Sequence, residues 1–285
     1  MKIKTISEKM LFTTVKINTM TSKNEQSTGT GFVFGFALDD NKNDLYLVTN
    51  KHVIKDAITW SFRFIPKKTD GEPDYNNPII LNLNNLESLW FGHEDENVDV
   101  TIIPFGLLYN LTLKEVKKEI FVQPIYAHSI PTNIQIENEI NALESINFVG
   151  YPSGLIDEYN NTPIFRKGTT ATPYALDFNG EKKFLIDATV VGGSSGSPVF
   201  ILEEGSYTPK GQTSLVFGNK VFFLGIVAKS YEKTNCLDLK VVPIQTNDIQ
   251  NKVMSQNIQM LDLGVVFKAE TILETIEQYK IKNKI

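Results

Sequence analysis

Gly192-Gly193-Ser194-Ser195-Gly196-Ser197-Pro198 lies between two apolar runs, KFLIDATVV (183–191) before it and Val199 to Leu202 after it. A turn of this kind between strands presents a serine on a rigid scaffold. A nucleophilic serine has to be reachable. Its own N–H and that of Gly193, two residues earlier, have to converge on the oxygen that gains charge during attack on a carbonyl. Glycine permits the backbone path this requires. Ser195 is therefore the candidate nucleophile, and the N–H groups of Gly193 and Ser195 are the candidate oxyanion donors. Glycine- and serine-rich turns are also ordinary strand connections, so the chemistry depends on partners elsewhere in the chain.

A general base is the first partner needed, and the chain holds three histidines. In YLVTNKHV (46–53) an apolar strand ends in a polar turn that carries His52, where a base would be presented. His93 sits in the acidic run HEDEN, and His128 precedes Ile130-Pro131, so both read as surface residues. The second partner is a carboxylate that accepts from the imidazole N–H and fixes its tautomer. Asp99 in VDVTII (98–103) is embedded in apolar neighbours, whereas its rivals Glu94, Asp95 and Glu96 belong to a charge run that reads as a solvated face. The chain order His52, Asp99, Ser195 is one of the known orders of a catalytic triad.

Around these residues the chain reads as all-β. Short runs rich in Val, Ile, Phe, Thr and Tyr alternate with polar or Gly/Pro/Asn stretches. The predicted strands are 11–18, 29–36, 45–49, 58–65, 78–83 and 99–105, then 146–150, 164–172, 183–191, 197–202, 220–231 and 263–268. Two groups of six predict two six-stranded antiparallel barrels. The expected units are 1–110, carrying His52 and Asp99, a connection over 111–145, and 146–285, carrying Ser195. Thr112 to Ile120 is expected as a short surface helix with Leu113, Val116 and Ile120 on one face. Residues 269–280 are expected as an amphipathic helix whose Ile272, Leu273, Ile276 and Tyr279 pack on the second barrel. Asp39 to Asp44 reads as a polar hairpin loop.

Composition narrows the function. The net charge of −5 and a pI near 5.4, with lysine and arginine scattered, exclude an electrostatic footprint for nucleic acid. Cys236 is the single cysteine, so neither an internal disulfide nor a thiolate metal site forms, which points to a reducing compartment. No run approaches the roughly 18 apolar residues of a membrane span, and the N-terminus lacks a signal-peptide core. The expectation is a cytoplasmic protein that needs no metal or organic cofactor and engages neither membrane nor nucleic acid.

GTGF ahead of the histidine, LVTNKHV around it, VDVTII and GGSSGSPVF together resemble the trypsin-like (chymotrypsin-fold) serine peptidases, particularly bacterial ones. GGSSGSPVF is most similar to the glutamyl-endopeptidase branch. The resemblance implies the two barrels with a C-terminal helix, and a serine endopeptidase acting on protein or peptide substrates. It also implies that GIVAKS (225–230), with Val227, Ala228, Lys229 and Ser230, is the strand that pairs with the substrate backbone. Departures carry information too. Ser194 stands where secreted relatives have an aspartate that receives a newly cut N-terminus, which implies an enzyme competent as synthesised or controlled by an activating partner. Ala228 replaces the serine that helps hold the catalytic aspartate. Val227 replaces the histidine with which glutamyl endopeptidases recognise glutamate. Thr189 and Val190 would lie near the base of the specificity pocket and Ser230 on its wall, implying a small or medium uncharged residue before the scissile bond. A basic one is attracted instead if Asp187 faces inward. The alternative is a catalytically silent or partner-gated peptide-binding module on the same fold, capturing an extended peptide by β-addition in an intracellular defence or stress system.

Overall fold

The computed structural model describes residues 1–37, 43–84, 86–233, 239–243 and 259–285. Cys236 and residues 39–42 of the predicted hairpin loop lie outside the described residues.

Burial along the first strands follows the period of two that a pleated strand imposes. In β1 (Thr14–Thr21) Val15, Ile17 and Thr19 point inward. In β4 (Ala57–Pro66) Trp60, Phe62 and Phe64 do the same. β2 (Gln26–Ala37) breaks the pattern, because Gly29 through Gly35 are buried without alternation. Its Val33 faces the N-terminal core while Phe32 and Phe34 face a second cluster shared with the other half of the molecule. A strand buried on both faces reads as a continuous apolar run, and here it marks the wall between the two halves.

The N-terminal sheet adds β3 (Asn43–Thr49), β5 (Ile79–Asn84), β6 (Phe91–Gly92) and β7 (Thr101–Pro104), in the order β5-β4-β1-β2-β3-β7-β6. Among the described residues no pairing closes this ladder, so the second of the two expected barrels is not found. Among the described residues β5 pairs only with β4, and β6 is a two-residue strand paired only with β7. Between β5 and β6, Leu86 is buried and Leu89 and Trp90 pack against the N-terminal core. The connecting segment is partly built into this sheet, since β8 (Ile120–Phe121) pairs with β4 and β9 (Ile125–Tyr126) runs parallel to β2.

The C-terminal sheet does close. β10 (Ser145–Gly150), β11 (Ile164–Thr170), β12 (Lys183–Asp187), β13 (Pro198–Glu203), β16 (Lys220–Lys233) and β18 (Gln259–Lys268) form the ring β13-β10-β11-β12-β18-β16, sealed by β13 against β16. Two short strands, β14 (Ser206–Tyr207) and β15 (Val216–Phe217), make a hairpin outside it. β17 (Leu239–Pro243) pairs with the far part of β16.

Five helices complete the described fold: α1 (Ile6–Met10), α2 (Lys51–Ile54), α3 (Phe105–Val116), α4 (Asn133–Glu139) and α5 (Glu270–Asn283). α3 starts earlier than the predicted 112–120 helix and buries Phe105, Leu108 and Thr112, leaving Leu113 and Val116 exposed. It stops at Lys117, which takes a left-handed conformation (φ 57°), and Ile120 joins β8 instead. α5 matches its predicted stripe and packs on the C-terminal barrel as expected, but it reaches the N-terminal sheet as well. Ile272 and Ile276 are buried in the cluster between the two halves, and Tyr279 meets Tyr46 and Phe91 of the N-terminal sheet edge to face. The helix is thus a brace across both halves, with Met10 of α1 in the same cluster. Among the described residues no helix is long and apolar enough to cross a membrane.

Candidate active site

β3 delivers its apolar end, Tyr46 to Thr49, to the wall between the halves. There the chain turns through Asn50 into the single turn of α2. Val53 and Ile54 are buried and anchor that turn. Val53 packs so closely on β2 that a Cβ at Gly29 would lie 2.4 Å from it. With its apolar neighbours fixed inward, His52 is left 19% exposed at the interface. Asp99, in the loop before β7, is held by the same turn at three points. Asn50 Nδ2 donates to its carbonyl at 2.7 Å, the His52 backbone N–H donates to Oδ1 at 3.1 Å, and His52 Nδ1 lies 2.5 Å from Oδ2. Burial pushes the Asp99 carboxyl up, but the hydrogen bonds and charge of His52, with the nearby Lys229 ammonium, outweigh it and hold the group below the ordinary aspartate value.

On the other side of the imidazole, His52 Nε2 lies 2.9 Å from Ser195 Oγ. The loop that carries Ser195 turns twice at positive φ, at Gly193 (+82°) and Gly196 (+87°). Side chains are excluded at both turns. A Cβ at Gly193 would sit 2.2 Å from the Tyr151 carbonyl oxygen, and one at Gly196 would sit 1.7 Å from that of Thr30. Gly196 N–H donates to Val227 O at 2.8 Å and Val227 N–H to Ser197 O at 2.9 Å, which splices the loop onto β16. Among the described residues, the N–H groups of Gly193 and Ser195 donate to no other protein group.

Two expectations need correction. Ser195 is not presented to solvent: it is 0% exposed. His93 is not a surface residue either. It is buried, with Nδ1 accepting from the Asp95 N–H at 3.0 Å and Nε2 lying 3.3 Å from Glu274 of α5. The acidic run hid this contact because its partner lies far along the chain. His128 is exposed and stacks on Tyr126, and the run Glu94 to Asn97 is exposed as expected.

The residues named for substrate binding separate. Val190 and Val227 are buried in the core of the C-terminal barrel and Ala228 in the cluster between the halves. Thr189 is exposed, and Arg166 Nη2 donates to its carbonyl at 2.9 Å. Lys229 is half-buried, while Ser230 is buried with its hydroxyl unpaired. Asp187 is exposed at the end of β12. The edge of β16 that continues beyond β13 is already occupied, because Lys229 pairs with Pro243 and Ser230 with Val242 of β17, while β18 takes the opposite edge. Residues that the sequence reading missed are Asn50, Arg166 and the pair Thr30 and Ser153, which bond to the Ser195 loop. The TN before Lys51 and the threonine inside GTGF were the available signals.

Solved structures with a similar backbone include the Rv3671c protease from M. tuberculosis in its active form, at 15% identity, covering 94% of this chain and 81% of that one, with a TM-score of 0.42. Deg5 is similar at 13% identity, covering 83% and 85%, with a TM-score of 0.41. The protease Anisep from Arthrobacter nicotinovorans is similar at 13%, covering 75% and 90%, with a TM-score of 0.37. No curated protein sequence matches. The trypsin-like peptidase domain matches residues 29–207, a stretch that holds His52, Asp99 and Ser195 and more than half of the chain. The chain therefore belongs to the trypsin-like peptidase family.

Proposed function

We propose that the protein is a serine endopeptidase that cleaves protein substrates through an acyl-enzyme. The observation that carries this reading is the continuous contact from Asp99 through both ring nitrogens of His52 to Ser195 Oγ, at 2.5 and 2.9 Å, beside two N–H groups without protein partners among the described residues. Ser195 Oγ attacks the scissile carbonyl carbon as its proton passes to His52 Nε2. The Gly193 and Ser195 N–H groups stabilise the oxyanion. The carbon–nitrogen bond breaks as His52 gives that proton to the leaving amine. Water then attacks the acyl carbon, losing a proton to His52, and the proton returns to Ser195 Oγ as the acid product leaves. Asp99 stays ionised throughout and steadies the imidazolium.

For the residue before the scissile bond we retain a small or medium uncharged side chain. Val227 gives nothing with which to recognise glutamate, and the Arg166 guanidinium on the Thr189 carbonyl disfavours a basic residue. Exposed Asp187 offers no inward charge. A peptide library is expected to show cleavage after residues such as alanine, valine or leucine, and cleavage chiefly after lysine or arginine would overturn this assignment.

A second reading, an enzyme gated by a partner, is favoured by the 0% exposure of Ser195 together with the occupancy of the β16 edge by β17. An extended substrate pairing with Lys229 and Ser230 has to displace that strand. Fluorophosphonate labelling tests both. In reducing buffer at neutral pH the wild type is expected to label, and Ser195→Ala and His52→Ala are not. A double Val241→Pro, Val242→Pro change removes two adjacent N–H groups from β17, and since neighbouring N–H groups of a strand point to opposite edges, one of them faces β16. Under the gated reading it raises the labelling rate severalfold, and an unchanged rate removes β17 as a gate. A folded wild type and a folded β17 variant that both resist the probe would overturn the peptidase reading in favour of a binding module.

A further inference from the structure

The geometry points to Thr30 as a positioning residue that pins the oxyanion loop of the C-terminal barrel from the N-terminal half. This rests on the serine-peptidase reading and names what holds its oxyanion donors in place.

Each peptide plane from residue 192 to residue 196 is tied by its own hydrogen bonds. Gly192 O accepts from Ser153 N–H at 2.5 Å, and Ser194 O accepts from Ser197 N–H at 3.0 Å. In a trans peptide the N–H points opposite to the C=O. These two bonds therefore aim the N–H groups of Gly193 and Ser195, the oxyanion donors, away from the protein partners on their far sides. The alternate planes belong to Thr30. Its hydroxyl donates to Gly193 O at 2.8 Å and its backbone N–H donates to Ser195 O at 2.8 Å. The same two planes are held at their N–H ends by Val191 O and Val227 O.

The hydroxyl has its direction set for it. Tyr151 N–H donates to Thr30 Oγ1 at 3.1 Å, so the hydroxyl proton is directed to Gly193 O. Thr30 O accepts from Thr49 Oγ1 at 2.7 Å, which ties the same residue to the strand that leads to His52. Thr30 is 0% exposed. The loop that supplies Tyr151 N–H also supplies Ser153 N–H, with Ser153 at positive φ (+51°). Gly150 leaves room for the arrangement, since a Cβ there would fall 2.6 Å from Thr30 Oγ1.

Ser194 Oγ is buried and has no hydrogen-bond partner among the described residues, so no hydrogen bond from that side chain fixes the loop. Glycine at 193 allows its peptide to rotate at low cost, and without the hydroxyl the buried Gly193 carbonyl and Tyr151 N–H both lose a partner, which favours rotation to recover one. Loss of one oxyanion donor lowers kcat by about 100- to 1,000-fold in other proteases.

The test compares Thr30→Val, which has the same shape without a hydroxyl, Thr30→Ala as a second hydroxyl-free form, and Thr30→Ser, which restores the group. We expect Thr30→Val and Thr30→Ala to lower kcat about 100-fold with KM changed less than about threefold, and Thr30→Ser to recover most of it. Fluorophosphonate labelling is expected to slow in parallel. In a Ser195→Ala background, hydrogen exchange of the segment 192–197 is expected to accelerate about tenfold or more in Thr30→Val and to stay at the parent rate in Thr30→Ser. Wild-type kcat, or unchanged exchange, in folded Thr30→Val or Thr30→Ala would overturn the inference, as would equal losses of kcat in Thr30→Val and Thr30→Ser. The exchange measurement needs no activity, so an inert wild type overturns the peptidase reading while the role of Thr30 is still decided by exchange.

Discussion

Ser195→Ala is expected to lower turnover of a fluorescent casein by about a million-fold while the folded state is preserved. The scale follows from a hydrolase in which serine and histidine act as one unit, so that removing either costs nearly as much as removing both. The residue left behind would still bind substrate and present the Gly193 and Ser195 N–H groups, and on the order of a thousandfold rate over water should persist from them. Stability should change little, because the change deletes one hydroxyl whose only side-chain partner is His52 Nε2 at 2.9 Å, and His52 remains 19% exposed. Circular dichroism melting beside the casein assay checks both halves of the prediction. A variant retaining more than about one hundredth of wild-type turnover would show that Ser195 is not the nucleophile.

The second large effect is expected from Asp99→Asn, about 10,000-fold in kcat at neutral pH. The asparagine keeps the shape and the bonds from the His52 backbone N–H and from Asn50. Its amide, however, faces His52 Nδ1 with either a donor or a neutral oxygen, so the ring loses the carboxylate that fixes its tautomer and balances its charge. The stability consequence has a definite sign. The folded Asp99 carboxyl titrates below its ordinary value, so the stability it contributes is fully present above the ordinary aspartate range and is lost as pH falls through the lowered folded value. The melting temperatures of wild type and Asp99→Asn should therefore differ most near neutrality and converge in acid. A difference that grows in acid would contradict the lowered value and the hydrogen bonds from His52 that chiefly explain it.

All twelve predicted strands correspond to strands in the structure, and their ends shift by a few residues. The alternation in ITWSFRFI and the unbroken GTGFVFGF run identify β4 and β2 because a pleated backbone forces the period and burial on both faces removes it. The short strands β6, β8 and β9 were not legible, since two residues carry no period and their pairing depends on distant partners. α3 was misplaced for a related reason. Its buried face is set by Phe105 and Leu108, which continue an apolar strand in the sequence without a polar break to separate the two.

The candidate site was legible where the residue types are demanding. A histidine after an apolar strand, an aspartate among apolar neighbours and a serine between glycines at 193 and 196 were each recognisable, because few other roles require those types in that order. The structure adds that they meet, at 2.5 and 2.9 Å.

By itself the sequence determined the all-β class, the grouping of strands into two halves, the C-terminal helix and the three residues at which a serine peptidase mechanism is sought. These follow from periodicity and residue type, which are local properties of the chain. Only the tertiary structure decided that the C-terminal sheet closes into a barrel, that α5 braces both halves, that His93 is buried against α5 and that Ser195 is covered. It alone shows β17 on the strand expected to receive substrate, and Thr30 reaching across to the oxyanion loop. Each of these depends on contacts between residues far apart in sequence. Such contacts are set by how the packed sheets meet and leave no periodic trace in the segments that make them.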